Sequence, residues 1–374
     1  MRIAIVTLPL HTNYGGILQA YALQTVLEQL GHKVEHLQPR VEFLKLHPSW
    51  KMPLVYCKRT FSKFFCGEFK TPIFTHPHKW IRKYTDAFIA KYINNNFISK
   101  EAWNETNAFS YDAVVFGSDQ VWRPRYAYPI ERYFGSFLGD LSVKRVAYAA
   151  SFGTGHNEYS VEQQSNCTKL LKDFTGVSVR ENSAVGMCKS MFGVEAKHVL
   201  DPTLLLSKDE YIKLIQDTPK SKGNLAVYVL DESPEIADFI EGTARQLGLT
   251  LFRTNSKVED YNAPIIERLQ PPLEQWLRSF YDAELVITDS FHACVFSIIF
   301  QKPFICIGNK ERGSARFQSL LSMFGLEDRF VTSFDDFEAR KENLMKEIDY
   351  SRVYAILEEK RKESMDFLQK SLMK

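Results

Sequence analysis

One histidine of this sequence stands directly after an apolar run that ends in hydroxyl and carboxyl side chains. The run is Leu285–Asp289, and Ser290 and His292 follow it. A histidine at a helix start can donate or accept a proton near neutral pH, and the helix N-terminus with Ser290 can hold an anion beside it. The same residues also fit a capped helix with an incidental histidine. The segment indicates either an acid–base site or an ordinary helix start.

Polar groups and an indole follow a second apolar run, which ends at Phe116 and Gly117. They are Ser118, Asp119, Gln120 and Trp122. Hydroxyl, carboxylate and amide groups can bind the hydroxyls of a sugar, and an indole can cover its ring face. Helix capping by the polar residues, with Trp122 in the core, explains the segment equally well.

Two glycines lie between the first apolar run and the first helical pattern. The segment contains Asn13, Gly15, Gly16 and Gln19. Such a turn lets the backbone approach an anion and leaves N–H groups at the helix start. The spacing matches neither the dinucleotide fingerprint nor the phosphate loop, and a purely structural turn is the alternative.

Basic residues follow two further apolar runs. Lys310, Arg312 and Arg316 come after Phe304–Gly308, and Arg180 comes after Val177–Val179. Guanidinium groups suit a carboxylate or a phosphate. A loop of solvated charges, and for Arg180 an ion pair between lobes, are the alternatives.

Metal sites and disulfides are not indicated. The sequence contains no Asp-x-Asp, and His76 and His78 have no further ligands at metal spacing. The six cysteines are scattered without a CxxC pair, which predicts reduced thiols and no structural zinc.

Composition and element order predict the scaffold. The 374 residues are 45% hydrophobic, which disfavours disorder of the whole chain. The charge balance of 47 Lys and Arg against 45 Asp and Glu disfavours nucleic acid as the default partner. Strand and helix patterns alternate from residue 2 to residue 37 and again from residue 225 to residue 308. We therefore expect an α/β protein with two Rossmann-like lobes that face a cleft, with ligands beyond the carboxyl ends of the strands.

Three segments follow from this order. Residues 1–185 form the N-terminal lobe with an insertion at residues 41–100, residues 186–348 form the C-terminal lobe, and the helix in residues 349–374 can cross back onto the first lobe. The first apolar run is too short for a signal peptide, which predicts a cytoplasmic protein. Residues 41–70 mix aromatic with basic residues, which fits either an anionic membrane surface or packing on the first lobe.

Seven segments together resemble the polysaccharide pyruvyl transferase family. They are NYGGILQAYAL (13–23), FGSDQVW (116–122), RVAYAASFG (145–153), VSVRE (177–181), VLDPTLLL (199–206), TDSFHACVFSIIFQKPF (288–304) and NKERGSARF (309–317). Their order along nearly the whole chain makes the resemblance specific.

The resemblance implies transfer of a pyruvyl group from phosphoenolpyruvate to two hydroxyls of a sugar, which forms a ketal and releases phosphate. It implies a glycosyltransferase B-type fold, an acceptor-side first lobe and a donor-side second lobe, and no metal or cofactor besides the co-substrate. His292 matches the family's general acid, and Arg180 matches an arginine that holds the donor. Lys310, Arg312 and Arg316 lie where the family places a basic residue. Many members carry Arg two residues before the histidine, where this chain has Ser290.

The acceptor implied by the family is a surface polysaccharide precursor of capsule or exopolysaccharide, linked to polyprenyl diphosphate. This predicts peripheral contact with the inner membrane surface and no nucleic-acid partner. A glycosyltransferase that uses a nucleotide sugar, or a binding protein without catalysis on the same fold, are the alternatives. The acceptor sugar, the linkage, the ketal stereochemistry and the oligomeric state do not follow from the sequence.

Overall fold

The protein is represented by a computed structural model, which describes residues 1–39, 53–54, 57, 60, 77–98, 110–260, 262–308, 314–344 and 346–374. Its strands form two parallel sheets, one from each half of the chain. The predicted α/β fold with two Rossmann-like lobes is confirmed. Most of the predicted insertion, residues 41–70 in particular, lies outside the described residues apart from the isolated positions given above.

The first sheet has the strand order of a Rossmann fold, β3-β2-β1-β4-β5-β6-β7. Its strands are β1 (Arg2–Val6), β2 (Lys33–Pro39), β3 (Asn95–Ile98), β4 (Ala113–Phe116), β5 (Lys144–Ala150), β6 (Phe174–Val179) and β7 (Lys197–His198). From β1 the chain adds β2 and β3 on one side, and from β4 it adds the later strands on the other. The switch point therefore lies between β1 and β4, which pair in parallel with Ile3 opposite Ala113. Ligands of open α/β sheets bind beyond the strand ends at such a switch point.

The second sheet has the order β12-β11-β10-β8-β9, which is that of flavodoxin-like folds. Its strands are β8 (Leu225–Tyr228), β9 (Leu251–Arg253), β10 (Leu285–Thr288), β11 (Phe304–Ile307) and β12 (Phe330–Val331). The switch point lies between β8 and β10, which pair with Ile287 opposite Val227. The apolar residues of β8 and β10 are buried because helices cover both faces of a parallel sheet.

The helices connect these strands. They are α1 (Tyr14–Gln29), α2 (Pro77–Ile81), α3 (Lys83–Tyr92), α4 (Val161–Leu171), α5 (Asn182–Met187), α6 (Lys208–Ile215), α7 (Pro234–Leu247), α8 (Leu273–Asp282), α9 (Phe291–Ile299), α10 (Ala315–Phe324), α11 (Phe334–Leu344) and α12 (Tyr350–Met373). Helix α1 begins at Tyr14, so Gly15 and Gly16 lie in its first turn and not in a loop before it. In the part of the chain described, no helix is long and apolar enough to cross a bilayer.

Aromatic packing and a hydrogen bond join the lobes beside the cleft. The buried ring of Tyr14 lies 5.4 Å from Trp276 and 6.2 Å from Tyr228 between ring centroids. Its hydroxyl donates to the carbonyl oxygen of Pro271 at 2.6 Å. The start of α1 is therefore held against the second lobe as well as the first sheet.

The C-terminal helix α12 packs on the first lobe. The Lys144 ammonium donates to the carbonyl oxygen of Leu372 at 2.7 Å, and the Thr175 hydroxyl donates to that of Ser371 at 2.8 Å. A Cβ at Gly176 would stand 2.0 Å from the Ser371 hydroxyl, so glycine is what allows this close contact. The first sheet also includes β7 at residues 197–198, beyond residue 185, where the sequence suggested the end of the first lobe.

Candidate active site

The switch points of the two sheets face each other across the cleft between the lobes. Gly15 follows β1 of the first sheet, and His292 follows β10 of the second. A Cβ at Gly15 would stand 1.9 Å from Nδ1 of His292, so the imidazole packs directly against the glycine backbone. A residue of the second lobe thus reaches the carboxyl ends of the first sheet.

The imidazole of His292 is almost buried, with 7% of its side chain exposed. Its Nε2 atom faces the carboxylate of Asp201, with 3.7 Å between Nε2 and Oδ2, and among the residues that the structure describes it has no hydrogen-bond partner. Its Nδ1 atom lies on the opposite side, toward Gly15. The two ring nitrogens therefore have different surroundings.

Asp201 is held by both of its oxygens. Oδ1 accepts hydrogen bonds from the backbone N–H of Thr203 at 3.0 Å and from its hydroxyl at 2.6 Å. Oδ2 accepts from Nη1 of Arg180 at 2.7 Å and from the Ser118 hydroxyl at 3.4 Å. Burial alone raises the pKa of the Asp201 carboxyl, but the nearby imidazole of His292 and the charge of Arg180 bring it well below the usual range. The carboxyl is ionised at neutral pH.

Arg180 is surrounded by carboxylates. Besides Asp201, its guanidinium contacts Asp119 at 3.3 Å and Glu181 at 3.9 Å, and only 1% of its side chain is exposed. The guanidinium also lies over the ring of Phe291, 4.5 Å from its centroid. Three carboxylates thus surround the side chain for which the sequence predicted donor binding, and that role stays a prediction.

Arg316 lies in the first turn of α10 and also contacts Phe291. Its guanidinium lies 5.8 Å from the centroid of that ring, and the residue is 8% exposed. Burial and the charge of Arg180 lower the pKa of Arg316 to about 10. Glu181 lies near both arginines and accepts a hydrogen bond from the Ser151 hydroxyl. Burial raises the pKa of the Glu181 carboxyl.

Trp122 is the clearest disagreement with the sequence-based hypothesis of a sugar platform. The indole is 0% exposed, stacks on Phe134 with 4.8 Å between centroids, and donates from Nε1 to the carbonyl oxygen of Tyr133 at 3.2 Å. No face of the ring is open to a ligand, so its alternative assignment to the core is correct. Asp119 and Ser118 belong to the buried cluster instead, and Gln120 accepts a hydrogen bond from Arg123 at 3.1 Å.

The polar residues around Gly15 support the backbone. The Asn13 side chain accepts from the Gly16 N–H at 3.1 Å, which removes that N–H from the expected anion site. Gln19 is fully buried, donates to the Thr7 hydroxyl at 3.0 Å and accepts from the Ser118 N–H at 2.9 Å. Gln19 thereby joins the residue after β1 to the loop after β4. The acceptor-binding roles expected for Gln19 and Gly16 are corrected to structural ones.

The structure describes only some of the other residues that the sequence predicted to bind the donor. Ser290 precedes α9, is half-buried, and donates its backbone N–H to the Thr288 hydroxyl at 3.0 Å. Lys310 and Arg312 lie outside the described residues. Among the residues that the structure does describe, there is no group of three His, Cys, Asp or Glu side chains that could hold a metal ion.

Comparison with models of protein families shows which family the chain belongs to. The model described as polysaccharide pyruvyl transferase matches residues 13–311, a span that includes Gly15, Asp201 and His292. The chain belongs to this family. Membership indicates a pyruvyltransferase that acts on a polysaccharide. None of the curated proteins matches the chain.

Two solved structures are similar to the chain. Arabidopsis thaliana UGT89C1 complexed with UDP-L-rhamnose is 8% identical, with 99% of this chain and 98% of that chain covered and a TM-score of 0.52. The S. aureus MnaA-UDP co-structure is 11% identical, with 95% and 90% covered and a TM-score of 0.48. The first likeness agrees with the glycosyltransferase B-type arrangement expected for the pyruvyl transferase, and at this identity it shows the fold alone.

Sequence reasoning did not single out Asp201 as a site residue of this pyruvyl transferase. Its signal was present, because Asp201 follows the apolar pair Val199 and Leu200 and precedes a proline. A carboxylate directly after an apolar run is the same signal that Asp289 gives. Asp289 proves to be structural, since its oxygens accept the backbone N–H groups of Leu230 and Asp231 at 2.7 and 3.0 Å.

Proposed function

We propose that the protein transfers a pyruvyl group from phosphoenolpyruvate to two hydroxyls of a sugar in a surface polysaccharide precursor. The observation that carries this proposal is the position of His292, between Gly15 and Asp201, where the switch points of the two sheets face each other. A proton donor at this place can act on a substrate bound in the cleft.

The reaction needs one proton transfer to carbon. The imidazolium of His292 donates a proton to the methylene carbon of phosphoenolpyruvate, and C2 becomes an oxocarbenium-like centre. One sugar hydroxyl forms a C–O bond with C2, the bond from C2 to the phosphate oxygen breaks, and the second hydroxyl forms the other C–O bond. The product gains a methyl group, and the two hydroxyl protons restore the histidine and leave with the phosphate.

The donor's negative charges are assigned to the second lobe. Arg316 lies beside Phe291 at the start of α10, and Lys310 and Arg312 precede it in the sequence. Arginine forks bind carboxylates and phosphates well. We assign the donor to these residues, to Ser290 and to the N-terminus of α9, and we assign the charge of Arg180 to the buried carboxylates. No further cofactor is proposed.

The acceptor is proposed to be a capsule or exopolysaccharide precursor on polyprenyl diphosphate, used at the cytoplasmic face of the membrane. The basic and aromatic residues of the 41–70 segment suit an anionic lipid surface. Binding to anionic vesicles should weaken when Lys58, Arg59 and Lys63 are replaced by glutamine. Unchanged vesicle binding would remove this part of the proposal.

A second candidate is glycosyl transfer from a nucleotide sugar. It is favoured by the fold shared with UGT89C1, whose solved complex contains UDP-L-rhamnose. Thermal unfolding separates the two, because a ligand that binds the folded state raises the transition temperature. Protection by phosphoenolpyruvate and not by nucleotide sugars supports the pyruvyl transferase, and the reverse supports the glycosyltransferase.

Phosphate release tests the proposed reaction directly. Phosphoenolpyruvate is supplied with galactose-, mannose- and glucosamine-type acceptors, both free and linked to lipid diphosphate. We expect acceptor-dependent release that falls at least roughly 10²-fold in His292→Ala. His32→Ala is the matched control, because His32 directly precedes β2 and so lies at the amino ends of the parallel strands, opposite to the carboxyl ends at the site. If no acceptor gives phosphate release and calorimetry detects no phosphoenolpyruvate binding, this donor is excluded.

A further inference from the structure

We infer that Asp201 is the positioning residue of His292, and that it makes Nδ1 the nitrogen that exchanges the proton with substrate. The inference rests on the proposed function, because it assigns the acid of that reaction to one atom. It concerns a residue outside the segments that first suggested an acid–base site.

The surroundings of the ring nitrogens carry the inference. Nε2 is buried, lacks a hydrogen-bond partner in the described part of the chain and faces Oδ2 of Asp201 at 3.7 Å. Catalytic hydrogen bonds are often long before substrate binds, and a shift of less than about 1 Å would close this gap. An ionised carboxylate only accepts, so Nε2 must then carry the hydrogen. The free lone pair, or the transferable proton, is left on Nδ1.

Hydrogen bonds fix the orientation of the Asp201 carboxylate. Both oxygens of Asp201 are fixed, Oδ1 by Thr203 and Oδ2 by Arg180 and Ser118. The imidazole is fixed from the other side, where the missing side chain of Gly15 leaves the room that Nδ1 occupies. Asp201 therefore acts through the orientation of His292, while His292 is the residue proposed to touch the substrate.

The ring nitrogen of His292 that carries the hydrogen can be identified without substrate. Long-range proton–nitrogen correlation spectra of the full-length, ¹⁵N-labelled protein distinguish the two neutral tautomers, and His292→Gln assigns the signal. For the neutral imidazole that remains after the proton has been donated, we expect the hydrogen on Nε2 in the wild type and a shift toward Nδ1 in Asp201→Asn. Hydrogen on Nδ1 in the wild type would overturn the inference. An unchanged tautomer in a folded Asp201→Asn would also overturn it.

Steady-state kinetics test the role of Asp201 by a second measurement. In Asp201→Asn we expect kcat for phosphate release to fall roughly 10²-fold with little change in the KM of phosphoenolpyruvate. The matched control is Asp209→Asn, because Asp209 is exposed in the first turn of α6. A rise in KM at constant kcat would contradict a positioning role.

The two experiments separate this inference from the proposed function. If phosphoenolpyruvate is not the donor, phosphate release fails in every variant, while the tautomer of His292 still reports on Asp201. If Asp201→Asn does not fold, as circular dichroism would show, the wild-type spectrum still decides which nitrogen carries the hydrogen. Wild-type turnover with the hydrogen on Nδ1 would leave the transferase intact and remove only the role of Asp201.

Discussion

Gly15 and His292 come from different lobes, yet a single methyl group on Gly15 would stand 1.9 Å from the imidazole Nδ1. No side chain can occupy that distance without moving the ring. The contact explains why glycine stands in the first turn of α1, where its helix propensity is poor.

Gly15→Ala is expected to displace His292 and lower kcat roughly 10²-fold, because misplacement of a catalytic group by about 1 Å has effects of that size. Gly16→Ala is the matched control, since the nearest atoms to its Cβ would belong to the Asn13 side chain at 3.4 Å, an ordinary contact. Phosphate release from phosphoenolpyruvate measures both. Equal activity of the two variants would contradict the importance of the contact between the lobes.

Arg180→Met is expected to destabilise the protein by about 3–5 kcal/mol, because it leaves buried carboxylates without their cation. Asp201 and Asp119 are the two that lose an ion pair of 3.3 Å or less. The free energy of unfolding in urea measures the loss. Lys213→Met removes an exposed ion pair with Glu210 and should change this free energy little. A stable Arg180→Met variant would show that the carboxylates do not need this charge.

His36→Leu is expected to make the fold less sensitive to acid. His36 is fully buried on β2, and burial lowers its pKa from 6.5 to about 3. Between those values the unfolded chain binds a proton that the folded chain does not, so the free energy of unfolding falls as the pH falls, by about 1.4 kcal/mol per pH unit.

Urea unfolding at a series of pH values tests this expectation. The loss of stability below about pH 6.5 should be smaller in His36→Leu than in the wild type. The exposed His156 provides the control, and His156→Gln should keep the acid sensitivity. Parallel curves for His36→Leu and the wild type would contradict the assignment.

Trp122→Phe is expected to lower stability without changing the KM of the acceptor. The indole is buried against Phe134 and its N–H is bonded to Tyr133, so the substitution removes packing and one hydrogen bond. Each of these losses is about 1 kcal/mol. Acceptor kinetics and urea unfolding are measured on the same variant. A raised acceptor KM with unchanged stability would restore the sugar-platform hypothesis.

Much of the fold could be predicted because the relevant signals are local. The apolar runs that form β8, β10 and β11 are visible in the sequence, as is the alternation of strands with helices. The rule that ligands bind beyond strand ends points to Gly15, Ser118 and His292 from the sequence alone. These predictions need only the periodicity of a segment and the type of the residues that follow it.

Which side chains contact one another could be determined only from the tertiary structure. Trp122 and Asp289 occur next to polar residues after apolar runs, just as functional residues do, and only packing shows that one is core and the other binds backbone. By its sequence position Arg180 resembles an anion ligand, but in the fold it is surrounded by three carboxylates, from residues up to 61 positions away in sequence. Burial and the sign of neighbouring charges are properties of the folded surroundings.

By itself, the sequence determined the α/β class, the two lobes, the position of His292 after a strand and the resemblance to the polysaccharide pyruvyl transferases. Only the tertiary structure decided that His292 meets Gly15 on one side and Asp201 on the other. These three residues lie far apart along the chain. Sequence periodicity describes what one segment buries, while the contact between segments depends on strand order and on how the two sheets face each other.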